Sequence, residues 1–77
     1  MELIDGLKLI ENLSRATIKQ STLYRHNKTG NVYIVLNDSL VECTNGREEK
    51  KYTLYANQDG VIFCRDTEEF NQKFTKL

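Results

Sequence analysis

The triplet Tyr24-Arg25-His26 gathers the side chains of this sequence best suited to chemistry: a ring that stacks, a permanent cation, and the single histidine of the chain. A histidine acts as a general base only with a partner to orient it and a pocket to work in, and the sequence displays neither. On a strand, Tyr24 and His26 share one face and Arg25 points to the other. The triplet then reads in two ways: a small recognition surface, or a tyrosine at the edge of a core followed by a histidine that bonds a turn. Arg25 and Arg65 each carry a planar fork that fits a carboxylate or phosphate, or an internal ion pair with an acid such as Glu42, Asp66 or Glu69. Tyr33 lies in the run Val32-Tyr33-Ile34-Val35-Leu36. If Val32, Ile34 and Leu36 face inward, Tyr33 and Val35 face outward and Tyr33 becomes a contact residue. The candidate binding residues are therefore Tyr24, Arg25, His26, Tyr33 and Arg65.

Other constellations are weaker. Tyr24, Tyr33, Tyr52, Tyr55 and Phe63 all fall on expected strands. Such rings either line a groove for peptide or single-stranded nucleic acid or build the core. Cys43 and Cys64 are two cysteines with one histidine, too few for a four-ligand zinc site, and they read best as small buried apolar residues. No glycine-rich phosphate loop, His-Glu-x-x-His or Gly-x-Ser-x-Gly occurs. The expectation is a non-enzymatic protein with no catalytic residues, no metal and no cofactor.

The elements that must position these residues follow from patterning. Leu3, Leu7 and Ile10 fall at i, i+4, i+7 and predict an N-terminal helix. Leu9 lies off that stripe and, with Leu3, Leu7 and Ile10, forms a candidate helix for docking a partner. Ser14 to Gln20 extends the helix or leads out of it. From Ser21 onward β-branched and aromatic residues dominate. Five strands are expected: 22–26, 32–36, 40–43, 52–56 and 61–65. Turns at Asn27–Gly30, Asn37-Asp38, Asn45-Gly46 and Asp59-Gly60 join them. This spacing predicts a small five-stranded antiparallel barrel or sandwich. Asp66-Thr67-Glu68-Glu69 opens a short C-terminal helix, with an acid three residues after its cap and with Phe70 and Phe74 sharing a face at i, i+4. The chain is mainly β within an α+β class and reads as one domain over 1–77, with a helical segment at 1–20 and the β unit at 21–77.

Composition bounds the function. The 77 residues carry eleven Lys plus Arg against eleven Asp plus Glu, a formal net charge of zero. A chain this short buries only about 60% of its unfolded surface, which leaves little volume for an enclosed active site. The neutral charge argues against a general nucleic-acid binder, though the distribution is uneven. Residues 1–30 hold five basic and three acidic residues, a local +2; residues 31–77 hold six and eight, a local −2. No apolar run reaches the roughly 18 residues of a membrane span, and the acidic N-terminus does not read as a secretory signal. A cytoplasmic location is expected, with reduced thiols.

The β portion resembles a small bacterial and phage family of uncharacterised domains, through Tyr24-Arg25-His26, Tyr33-Ile34-Val35, Leu54-Tyr55, Phe63-Cys64-Arg65 and Phe70. Asp66 stands where the family pattern has Pro, and Phe63 where it has Trp. The resemblance covers about 50 of the 77 residues and implies an SH3-like barrel without implying an activity. Part of the resemblance suggests a phage origin; with the missing catalytic sets and a helix outside the match, that origin leads to the expectation of a phage or bacterial accessory protein that binds and modulates a host protein complex. The functional expectation is thus a small interaction module with a protein partner, for which a second copy of the chain is a further candidate. The alternative is a nucleic-acid-binding barrel that uses Arg15, Lys19, Arg25 and Lys28 on phosphates and Tyr24, Tyr33 or His26 on bases.

Overall fold

A computed structural model of the chain describes residues 13, 15–43, 46 and 50–77. The expected N-terminal helix, with Leu3, Leu7, Leu9 and Ile10, lies outside the described residues. So does most of the Asn45-Gly46 loop, of which Gly46 is described.

Residues 15–17 are helical and lead into an extended stretch. Strand β1, Thr22–His26, pairs antiparallel with β2, Val32–Val41. Gly30 makes the connection possible. Its φ of 77° is open to glycine without steric cost, and its N–H closes the turn on the His26 carbonyl at 2.8 Å. Strand β3, Lys51–Ala56, pairs with β2, and β4, Ile62–Asp66, pairs with β3 across a second glycine turn at Gly60 (φ 83°). Asp66 then caps helix α1, Thr67–Lys73, its carboxylate accepting the Glu69 N–H at 3.1 Å. This is the cap anticipated from the sequence. The chain ends in β5, Phe74–Lys76, laid antiparallel against β1.

The result is a single five-stranded antiparallel sheet in the order β4-β3-β2-β1-β5. It is mainly β, as expected, but it differs from the sequence reading in four respects. The sheet does not close into a barrel, since β4 and β5 are its two edges. The segments 32–36 and 40–43 are not two strands separated by a turn. They belong to one ten-residue strand with register shifts either side of Asn37. The cause is the buried Asn37 side chain: its Nδ2 donates to the Ala16 and Thr17 carbonyls at 3.3 and 2.9 Å, and its Oδ1 accepts the Ser39 N–H at 2.8 Å. An Asn-Asp pair that looks like a turn here forms a bulge that moors the incoming chain. Next, Phe74 is not the last helical residue. It is extended (φ −126°, ψ 149°) and begins β5. Finally, the faces of β2 are reversed, because Val35 is buried and Tyr33 packs against the core.

The core lies between the sheet and α1. Val35, Tyr55, Phe70 and Phe74 form it, with Tyr24 and Tyr33 packed at its margin. Phe70 is 1% exposed, a burial worth about 1.5–3 kcal/mol. Beneath the helix N-terminus, the buried Thr53 hydroxyl meets the Thr67 hydroxyl at 3.0 Å, and Thr67 also reaches the Asp38 carbonyl at 3.3 Å. No helix among the described residues is long and apolar enough to cross a membrane.

Candidate functional site

Strand alternation puts Tyr24 and His26 of β1 on the helix-covered face of the sheet, opposite Tyr33 and Phe74 in the register. Val35, Tyr55 and Phe63 stand opposite one another across β2, β3 and β4 on the same face. Seven aromatic residues are all the chain contains, and six of them gather here, with His26 as a further ring. Phe70 and Phe74 stack at 4.1 Å with their planes 8° apart. Tyr24 meets Phe70 edge-on at 5.2 Å, and Tyr55 lies 5.0 and 5.3 Å from Phe70 and Phe74. Each such pair contributes about 0.5–1.5 kcal/mol beyond the area it buries.

The row has a covered end and an open end. Helix α1 seals Phe70, Val35 and Tyr55. Beyond Phe74, the helix no longer covers the face, and a cleft of about 250 Å³ opens. Tyr33, Tyr55, Phe63 and Phe74 form its walls, and His26, Thr29 and Arg65 its rim. Phe63 stacks on Tyr55 at 5.4 Å while remaining 36% exposed, so one face of its ring is available.

The polar rim is held in place. His26 Nδ1 accepts the Thr29 backbone N–H at 3.2 Å and lies 3.1 Å from the Thr29 hydroxyl. In the neutral ring the proton is therefore on Nε2, which leaves His26 one outward donor. Its ring meets Phe74 edge-on at 4.8 Å. The Arg65 guanidinium lies 5.7 Å above the Phe74 ring, an arrangement worth about 0.5–1 kcal/mol when exposed. Arg65 also contacts Glu69 at 3.5 Å, and Lys73 contacts the same Glu69 oxygen at 3.4 Å. Glu69 is thus shared by two cations, so it only partly neutralises Arg65 at the rim.

The structure thus brings His26, Tyr33 and Arg65 together and separates the rest of the predicted set. Tyr24 packs under α1, and Arg25 points from the opposite face of β1, exposed. Tyr33 is a wall of the cleft on the inner face, so the expectation that it faces away from the core is corrected. Tyr55, Phe63 and Phe74 complete the site. Their signal was the shared inner-face parity of three strands, invisible until β5 is recognised. The expected burial of the cysteines is corrected: Cys43 and Cys64, both free thiols, are exposed. No group of three or more potential metal ligands occurs among the described residues.

A wider concavity of about 410 Å³ lies between Lys50, Lys51, Asp66, Thr67 and Glu68. Its charges partly satisfy each other, Lys50 standing 3.8 Å from Asp66, and no aromatic ring lines it. The aromatic cleft is the better candidate. Its volume falls below the roughly 300–1,000 Å³ of small-molecule pockets. It suits a single side chain, with a stacking surface, one histidine donor and one cationic fork. Neither a protein-family model, nor a curated protein, nor a solved structure matches the chain.

Proposed function

We propose that the protein is a small non-enzymatic interaction module that grips a projecting side chain of a protein partner in the aromatic cleft. The observation that carries this reading is the open end of the aromatic row: Phe63 offers one ring face beside the cation of Arg65, in a cleft of about 250 Å³, below the usual range of small-molecule pockets. An aromatic or acidic side chain matches those walls, since a ring stacks on Phe63 and Tyr33 and a carboxylate meets the Arg65 fork. His26 adds a single hydrogen bond from Nε2. Its Nδ1 is committed to Thr29, and no carboxylate among the described residues orients the ring, so the arrangement suits binding better than proton transfer.

The sheet order, with β5 returning to pair with β1, and the reach of Arg65 from one edge over Phe74 of the other support reading the fold as an open relative of the SH3-like barrel class, its edges β4 and β5 not joined. The sequence resemblance to bacterial and phage domains supports an accessory role inside the cell, on a protein complex of the host.

The test compares three tagged proteins as bait in a bacterial lysate: wild type, Phe63→Ser and Arg65→Glu. A partner retained by the wild type and lost with both variants, while far-UV circular dichroism is unchanged, is the expected result. Retention that ignores both substitutions removes the cleft from the interaction. Retardation of oligonucleotides at low salt, falling steeply as salt is raised, would assign the cleft to bases instead.

A further inference from the structure

The two edges of the sheet are protected unequally. Strand β5 is three residues long and carries Lys76, with Lys73 just before it. Short length and lysine are the usual means of blocking an edge. Strand β4 has neither over its first half. Val61, Ile62, Phe63 and Cys64 form an uncharged run with no proline, and Val61 and Ile62 are 49% and 61% exposed.

The hydrogen-bonding parity of β4 can be read from the turn before it. The Asn57 N–H donates to the Val61 carbonyl at 3.0 Å, so Val61 directs its backbone groups toward β3. Alternation along the antiparallel ladder, through Tyr55↔Phe63 and Thr53↔Arg65, gives Phe63 and Arg65 the same direction. Ile62 and Cys64 therefore turn their N–H and C=O groups to the open edge, where no described element pairs with them.

We propose that β4 pairs antiparallel with β4 of a second copy, about a two-fold axis through Phe63. A strand can pair across a two-fold only with matching parity, and this axis sets Ile62 against Cys64 of the other copy, each pair exchanging both N–H···O=C bonds. The competing axes are poorer. One through Arg65 opposes two guanidinium groups; one through Cys64 sets Asp66 against Ile62; one through Ile62 leaves Cys64 against Gly60. The axis through Phe63 instead sets Val61 against Arg65, whose methylene stem covers apolar surface. On the outer face, the row Leu23–Ile34–Ala56–Ile62 continues into Cys64 and Leu54 of the second copy. A formal net charge of zero means the two copies meet without long-range repulsion. The same axis sets the two Phe63 rings opposite each other on the cleft face, so the dimer draws on Phe63 and Arg65 as the cleft does, while its parity comes from the edge backbone alone.

The experiment measures sedimentation velocity and amide hydrogen exchange over about two decades of concentration, spanning micromolar affinity. The weight-average mass is expected to rise from 9.0 kDa toward twice that value, with the Ile62 and Cys64 amides becoming protected in step. Ile62→Lys, at an exposed edge position, keeps the circular dichroism spectrum and stays monomeric. Ile62→Cys forms a disulfide-linked dimer with Cys64 of the other copy under mild oxidation, and this link is lost when Cys64→Ser is added. A wild type that is monomeric throughout overturns the proposal, as does a dimer that survives Ile62→Lys or leaves the Ile62 and Cys64 amides unprotected.

Discussion

The two ends of the aromatic row are built from the same residue types and have opposite fates. At the covered end, α1 lowers Phe70 onto Tyr24 and Tyr55, and the Phe70 and Tyr55 rings disappear from solvent. At the open end, the helix has stopped, and Phe63 keeps a bare face beside Arg65. The difference lies at Phe74. There the chain leaves the helix for β5, which pairs with β1 and opens the cleft next to His26. Covered rings supply stability, whereas half-covered rings held in place by the same cluster form the surface proposed above for recognition.

Substitutions can separate the two roles. Phe70→Ala removes the plug of the covered end and is expected to cost about 3–5 kcal/mol, enough to leave much of so small a protein unfolded in a urea titration at 25 °C. A loss below about 1.5 kcal/mol would mean the helix is not what seals the row. Asn37→Ala deletes the buried amide that moors residues 16 and 17 to β2. It should cost about 1–3 kcal/mol through groups left unsatisfied, read as a shift of the urea midpoint at constant slope. Asp66→Ala removes the α1 cap, for about 1 kcal/mol. It should also raise the amide exchange of Glu69, which tests whether the cap holds the helix over the covered end.

The open end should respond in the opposite sense. Phe63→Ala loses its stack on Tyr55, about 0.5–1.5 kcal/mol of stability, yet should abolish partner retention. Arg65→Ala touches exposed pairs and should change stability by less than about 0.5 kcal/mol, while weakening an acidic partner at least severalfold in a binding titration. If either substitution unfolds the protein as severely as Phe70→Ala, the two ends form one cooperative core and the proposed division of labour is wrong.

Much of the framework was legible because its signals are local. The bounds of β1, the glycine turns at Gly30 and Gly60, and the Asp66 cap each depend on a few adjacent residues. Asn37-Asp38 misled because an amide side chain serves a turn and a bulge equally well. Only the distant carbonyls of Ala16 and Thr17 make it a bulge. Phe74 misled in the same way, since its spacing from Phe70 fits a helix, and extension is chosen by hydrogen bonds to β1. The candidate site was half legible: His26, Tyr33 and Arg65 meet, while Tyr24 and Arg25 divide between the core margin and the opposite face. The cysteines ran against the usual habit of a small apolar residue. Cys64 lies on β4 and Cys43 two residues past the end of β2, and both are exposed.

Residue type and short-range spacing were enough to establish a mainly β chain with tight turns and a capped C-terminal helix, because alternation and capping act within a few residues. They could not choose the inner face of β2. Val32, Ile34 and Leu36 are as apolar as Tyr33 and Val35, so neither side carries a contrast that would settle the matter. That choice belonged to tertiary packing. Phe70 and Phe74 come from the far end of the chain and demand flat aromatic partners, and only the face bearing Tyr24, Tyr33, Tyr55 and Phe63 supplies them.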